Sequence, residues 1–188
     1  MALAFAYFII VIYSISLLLI FFYSLAQLNL LVNYLGQKRQ DQSAPKYNLM
    51  DPKEIPFVTI QLPVYNEEYV MDRLLENIAK IEYPKSKLEI QVLDDSTDDT
   101  VIATAASIAK LQETGLDIQH IRRTDRSGFK AGALKEGLEI AKGEFIAIFD
   151  ADFMPAADWL KKTVIYFKDK EIGVVQTRWG HLNRDYST

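Results

Sequence analysis

Four carboxylates fall immediately after two apolar runs. Asp94-Asp95-Ser96 follows residues 88–93, and Asp150-Ala151-Asp152 follows residues 145–149. An Asp can cap a turn or a helix, and Ser96 with Asp99 has the spacing of a weak capping box. Two acidic pairs at equivalent places invite a second reading. Carboxylates that converge repel one another, and a divalent cation relieves that repulsion. Hard oxygen ligands suit Mg²⁺ or Mn²⁺, which take one or two carboxylates and complete their shells with phosphate oxygens and water. The expectation is that all four acids gather round one such ion, the short Asp150-Ala151-Asp152 spacing letting two side chains approach it from a single turn. A metal there clamps a diphosphate and neutralises charge as a phosphate group departs.

A third segment carries positive charge. Arg126-Ser-Gly-Phe-Lys-Ala-Gly-Ala-Leu134 places Arg126 and Lys130 among glycines at the start of a helical pattern. Gly128 and Gly132 allow close backbone approach, and a helix start offers free N–H groups. Arg126 and Lys130 are therefore candidate phosphate or nucleotide contacts. The segment lacks the Gly-Lys-Ser/Thr ending of a P-loop. His120 and His181 are too far apart in sequence to argue a metal pair. Trp159, Tyr166 and Phe167 read as packing.

The elements that must position these residues follow from periodicity. Short apolar runs predict strands at 57–62, 88–93, 116–121, 145–149 and 172–177. Between them, helices are predicted from Asn66 as cap, over 98–114, over 131–141 and from Pro155 to about Asp169. Alternation of strand and helix implies an α/β fold, a mainly parallel sheet with helices on both faces. In such sheets ligands bind beyond the carboxyl ends of the strands. Both acidic pairs fall on that rim.

The chain has 188 residues, 21 Lys and Arg, 25 Asp and Glu, and no Cys. Lack of Cys excludes disulfides, thiolate metal sites and a cysteine nucleophile. A net charge of −4 speaks against nucleic acid as the main partner. No charged side chain precedes Lys38, and residues 3–25 are almost wholly apolar. That length crosses a bilayer as a helix. No basic residue precedes the run, and it exceeds the apolar core of a signal peptide. Lys38, Arg39 and Lys46 just beyond it place the remainder on the cytoplasmic side. The predicted organisation is a transmembrane helix in 1–36, a linker in 37–56 and a globular domain in 57–188.

Taken in order, Leu62-Pro-Val-Tyr-Asn-Glu67, Val92-Leu-Asp-Asp-Ser96, the Arg126–Leu134 segment and Phe149-Asp-Ala-Asp-Phe153 resemble the motifs of processive family 2 glycosyltransferases. The likeness is to the cellulose synthase-like branch, which includes glucomannan 4-β-mannosyltransferases. The resemblance implies a GT-A fold and an inverting hexosyl transfer from a UDP- or GDP-sugar to a glycan or lipid acceptor. It implies that Pro63, Tyr65 and Glu67 line the nucleotide pocket, that Asp94 and Asp95 contact the nucleotide, and that Lys130 holds its end. Asp150 and Asp152 become the Asp-x-Asp pair that touches donor and metal.

The family's general base lies in a Thr/Ser-Glu-Asp-type motif, and none follows Asp152. Asp158, Asp169, Glu171 and Asp185 do not fit it. Gln176-Thr-Arg-Trp179 matches the letters of the family's Gln-x-x-Arg-Trp motif but comes too early for it. The chain then reads as the donor-binding part of a longer enzyme. Three rivals are a dehalogenase-type phosphatase with an Asp-x-Asp nucleophile, a sugar nucleotidylyltransferase, and a membrane-anchored nucleotide-sugar-binding scaffold without turnover. The phosphatase pattern wants Thr or Val where Met154 stands.

Overall fold

A computed structural model describes residues 1–37, 54–178 and 180. The chain divides into two compact units, Met1–Lys46 and Tyr47–Thr188. The first contains helix α1, Ala2–Gln37. Its described side chains are exposed on every side. Ser14, Ser16 and Ser24 each donate to the carbonyl four residues earlier, at 2.8, 2.9 and 2.8 Å. Their hydroxyls are thus satisfied within the helix. The basic flank Lys38, Arg39 and Lys46 lies outside the described residues, as do His181 and Asp185.

The second unit is built on four parallel strands: β1 Val58–Val64, β2 Leu88–Asp94, β3 Asp117–Ile121 and β4 Phe145–Ile148. Their order is β3-β2-β1-β4, so β1 and β2 lie in the middle. Helices α2 (Glu68–Ile78), α3 (Thr100–Glu113), α4 (Phe129–Ile140) and α5 (Trp159–Val164) connect or follow them. The main core covers one face of the sheet. Val58, Ile60, Leu62, Ile90, Val92 and Ile118 meet Met71, Leu74, Leu75 and Ile78 of α2, Ile108 of α3 and Leu160 of α5. The spacing of the α2 residues gives that helix a single apolar stripe.

The opposite face of the sheet is polar although buried. Thr59 donates to Glu89 at 2.7 Å, Gln61 to Gln91 at 3.0 Å, and Gln119 to Glu89 at 3.1 Å. Helix α4 lies over this face, where Gln61 also reaches the Leu134 carbonyl at 3.5 Å. Water is excluded here, so these groups pair with one another; the Gln91 amide nitrogen, buried without a hydrogen-bond partner, is an exception.

Two predicted elements differ. Residues 172–178 form no strand: Val174 is exposed, and no ladder partner lies alongside them among the described residues. Without a neighbouring strand to take its backbone groups, an apolar run has no reason to extend as one. Helix α5 is shorter than predicted. It ends at Val164 and tightens into a 3₁₀ turn over Ile165–Lys168. Thr163 donates back to the Trp159 carbonyl at 2.9 Å within a β-branched run, a combination that weakens an α-helix.

Candidate active site

A cavity of about 630 Å³ opens beyond the carboxyl ends of β1, β2 and β4. It is lined by Pro63, Tyr65, Glu67, Asp95, Arg126, Lys130, Asp150 and Asp152, together with Val64, Ala133 and Ala151. Its size lies within the range of small-molecule sites.

Backbone bonds across the strand ends bring the β1 and β2 loops together. Asp95 N–H donates to the Val64 carbonyl at 3.0 Å, and Asn66 N–H donates to Ser96 Oγ at 2.9 Å. Asn66 sits in the left-handed region with φ 55°, and its side-chain oxygen accepts from Thr97 N–H at 3.0 Å. Asn66 is therefore not the cap of α2. It is the stitch between two loops, and Glu67 takes the cap position without a side-chain hydrogen bond.

Asp94 and Asp95 point to opposite sides. Asp94 is 1% exposed and does not line the cavity. Its Oδ2 lies 2.7 Å from His120 Nε2, which must donate because an ionised carboxylate only accepts. Its Oδ1 accepts from Ser96 N–H at 2.8 Å. Burial pushes the Asp94 carboxyl up, but the hydrogen bonds from His120 and Ser96 outweigh burial and hold it below its ordinary value. Asp95 faces the cavity and forms a two-pronged ion pair with Arg123, at 2.7 and 2.6 Å. That hydrogen bond is the largest of the effects that raise the Arg123 pKa.

The four-acid cluster is thus not formed. Asp95, Asp150 and Asp152 line one cavity, Asp94 turns into the protein, and cations already sit on two of them. Lys130 pairs with Asp150, and Arg126 Nε lies 3.7 Å from Asp95 Oδ2. Among the described residues, no group of three or more His, Asp or Glu is arranged to hold a metal by itself. Arg126 also stacks 3.3 Å from the Tyr65 ring centroid and 5.3 Å from that of Phe129. Its buried Nε makes no hydrogen bond.

His120, Arg122 and Arg123 are the residues that motif reading passes over. Arg122 donates to the Ser96 carbonyl at 3.2 Å, so β3 supports the same strand-end turn from the side. The two arginines directly follow β3, and the strand-end rule that singles out the acids applies equally to them. Asp158 is held by Lys162 at 2.6 Å, and Asp169 accepts from Glu171 N–H at 3.0 Å. Trp159 packs edge-on to Phe149, ring centroids 4.8 Å apart, and Phe167 stacks on Phe145 at 4.4 Å.

Residues 59–187 match the family model for glycosyl transferase family 2. Glucomannan 4-beta-mannosyltransferase 1 of Cyamopsis tetragonoloba is 37% identical over 170 residues, which take in 86% of this chain and 32% of the plant protein. The chain thus spans about a third of the length of that relative. A solved structure of the mannosyltransferase PcManGT from Pyrobaculum calidifontis, in complex with GDP-Man and Mn²⁺, is similar with a TM-score of 0.62 at 35% identity. That similarity covers 76% of this chain and 41% of the other. S. aureus TarS 1-349 in complex with UDP is similar with a TM-score of 0.50 at 29% identity, over 61% of this chain and 32% of that one. The parallel sheet, the cavity at its carboxyl rim and the match over residues 59–187 agree, and the chain belongs to glycosyl transferase family 2.

Proposed function

We propose that this chain is the donor-binding part of a membrane-anchored, inverting β-glycan hexosyltransferase that takes its sugar from a GDP- or UDP-sugar. The observation that carries the reading is the cavity wall itself. Acidic ligands for a cation (Asp150, Asp152), basic side chains for phosphate (Arg126, Lys130) and a carboxylate for a nucleoside hydroxyl or base (Asp95) share one hollow. The relatives' names supply the sugar class: one is a glucomannan mannosyltransferase and one was solved with GDP-Man.

The donor set fits a divalent ion of the Mg²⁺ or Mn²⁺ kind that is completed by its ligand. Two carboxylates on one short turn suit such an ion when a diphosphate and water fill the remaining positions. Asp150 and Asp152 would hold it, and when bound it supplies Lewis-acid stabilisation of the departing diphosphate. The chain's own groups do the rest. Pro63, Tyr65 and Glu67 form the β1 side of the pocket, and Asp95 accepts from the nucleoside. Arg126 and Lys130 bring positive charge to the phosphates.

Inverting transfer needs a general base. Attack by an acceptor hydroxyl requires one within hydrogen-bond reach, and Asp158 and Asp169 are already engaged. Helix α1 anchors the enzyme in the bilayer, with the glycosyltransferase domain in the cytoplasm and a glycan or lipid as acceptor. Family membership replaces the phosphatase reading of the Asp-x-Asp pair.

Titration calorimetry of the full 188-residue chain in detergent tests the proposal. GDP or UDP binds in the presence of Mn²⁺ and more weakly in EDTA, while hexosyl transfer by this chain alone is slow. Absence of any nucleotide binding by the folded chain, with or without metal, overturns the reading. Strong binding of phosphomonoesters with release of inorganic phosphate restores the phosphatase.

A further inference from the structure

Asp95 and the cations Arg126 and Lys130 reach the cavity from different segments, and one side chain joins those segments. Arg123 is not part of the cavity lining, and its side chain is only 8% exposed. Its Nε and Nη2 grip the two oxygens of Asp95 at 2.7 and 2.6 Å. Nη1 donates to the Ser127 carbonyl at 2.8 Å and Nη2 to the Phe129 carbonyl at 2.6 Å. Glu136 stands 3.8 Å from Nη1 on the outer side. Four bonds from one planar group thus run to two places: the end of β2 and the turn that opens α4.

That turn needs holding. Gly128 and Phe129 are both left-handed, with φ 73° and 48°. Gly128 adopts this region freely, but for a bulky aromatic residue it is a strained conformation. Strain of this kind persists only where the surroundings over-determine it. The two carbonyls that Arg123 grips lie on either side of Gly128, so its guanidinium clamps the strained step. Gly132, one turn further on, is constrained by the same group: a Cβ there would strike the Ser127 carbonyl and approach Arg123 Nη1 to 2.5 Å. Arg126 and Lys130 flank the clamped segment. Their reach into the cavity is set by how it is held.

We propose that Arg123 is a positioning residue of the donor pocket. It locks the left-handed turn at Ser127–Phe129 onto Asp95 and thereby sets the affinity for a nucleoside diphosphate without touching it. The inference rests on the reading of the pocket given above. Lysine cannot substitute, because one nitrogen has no planar fork with which to hold a carboxylate and two carbonyls together.

The test compares the full-length wild-type chain with Arg123→Lys in detergent. It measures GDP and UDP affinity with Mn²⁺, hydrogen exchange of the amides at 128–132, and the melting temperature. The variant loses about tenfold or more in nucleotide affinity and exchanges faster at 128–132, and its melting temperature falls by several degrees while the chain still folds. Unchanged affinity and unchanged exchange overturn the proposal. Loss of melting temperature with unchanged affinity also does, since it makes Arg123 merely structural.

Gly132→Ala is the second variant. It levers the same clamp apart with no change of charge, and its affinity falls in the same direction; wild-type affinity counts against the clamp. If both variants fail to fold, the wild-type chain still decides. A slowly exchanging arginine Nε–H signal that survives saturation with GDP or UDP supports a clamp that stays closed. Its loss on nucleotide binding shows that Asp95 releases Arg123, and overturns the proposal. A wild-type chain that binds neither nucleotide, yet shows faster 128–132 exchange on Arg123→Lys, refutes the reading of the pocket and leaves the clamp standing.

Discussion

Asp94 and Asp95 are adjacent in the chain but stand in opposite surroundings. Asp94 continues the strand alternation inward, where His120 and Ser96 satisfy it, and its pKa is lowered from the ordinary 3.8. A depressed native pKa contributes stability that is complete above the unfolded value and disappears as pH falls through the native one. Asp94→Asn therefore destabilises the folded domain by about 1.5–3 kcal/mol at neutral pH. The gap between variant and wild type closes as pH falls below about 4. Urea midpoints measured from pH 7 to pH 3 check this, and a gap that persists unchanged at pH 3 shows that the Asp94 charge is not what stabilises. Lys130 gives a second consequence. Its ammonium offsets Asp150 beside the exposed Asp152. Lys130→Met leaves that negative charge uncompensated where the diphosphate of the proposed donor would enter. GDP and UDP affinity falls about tenfold, while affinity for the uncharged nucleoside is nearly unchanged. Equal losses for nucleoside and diphosphate would show that Lys130 does not serve the phosphates.

At the scale of elements, the sheet has two different faces and the helices are matched to them. Helix α4 lies on the polar face, where it must come close enough for Gln61 and Gln91 to stay dry. Gly137 makes that approach possible: a Cβ there would lie 2.7 Å from Gln61 Nε2, 2.8 Å from Leu93 Cδ2 and 2.9 Å from Gln91 Oε1. Helix propensity alone makes Gly→Ala stabilising by about 1 kcal/mol. Those three atoms belong to buried side chains with little room to swing away, which puts overpacking towards the upper part of its usual range of about 1–3 kcal/mol, and the net effect of Gly137→Ala is destabilising by up to about 2 kcal/mol. Thermal unfolding of the variant decides the sign, and a raised melting temperature refutes the tight α4 contact. The same contrast explains what the sequence makes legible. The four strands, the order of the helices and the rim holding Asp95, Asp150 and Asp152 follow from apolar runs of the right period and from the strand-end rule. Contacts across loops do not. Nothing local distinguishes Asn66 as a cap from Asn66 as a stitch to Thr97, and the inward turn of Asp94 depends on a histidine from the neighbouring strand. The run at 172–177 has a strand's composition, but its pairing depends on a partner that periodicity cannot supply. Arg123 stands just past β3, where the strand-end rule applies to it, but it belongs to no recurrent spacing of the kind that marks Asp150 and Asp152.

For the molecule as a whole, the length and composition of helix α1 set the environment it suits. A helix of 36 residues is about 54 Å long, more than a bilayer's hydrocarbon requires. Its polar residues gather late, where Asn33 donates to Asn29 at 2.8 Å, so residues 3–25 are the segment suited to lipid. They contain 15 Leu, Ile, Phe and Val. At roughly −0.3 to −0.6 kcal/mol each, these favour insertion by about 4.5–9 kcal/mol. One arginine near the centre costs about 2.5–3.5 kcal/mol, so Ser14→Arg leaves the helix inserted. Ser14→Arg combined with Leu17→Arg costs about twice that and brings the lower bound to zero or beyond. The expected result is a wild-type chain and single variant retained in the membrane pellet after alkaline carbonate extraction, with the double variant partly released. Mass spectrometry of the retained wild-type chain finds residues 1–26 intact. Release of the wild type by carbonate removes the anchor. A mature chain beginning just after the small-residue stretch Ser24-Leu25-Ala26 makes the segment a cleaved signal and overturns the proposed cytoplasmic placement of the glycosyltransferase domain.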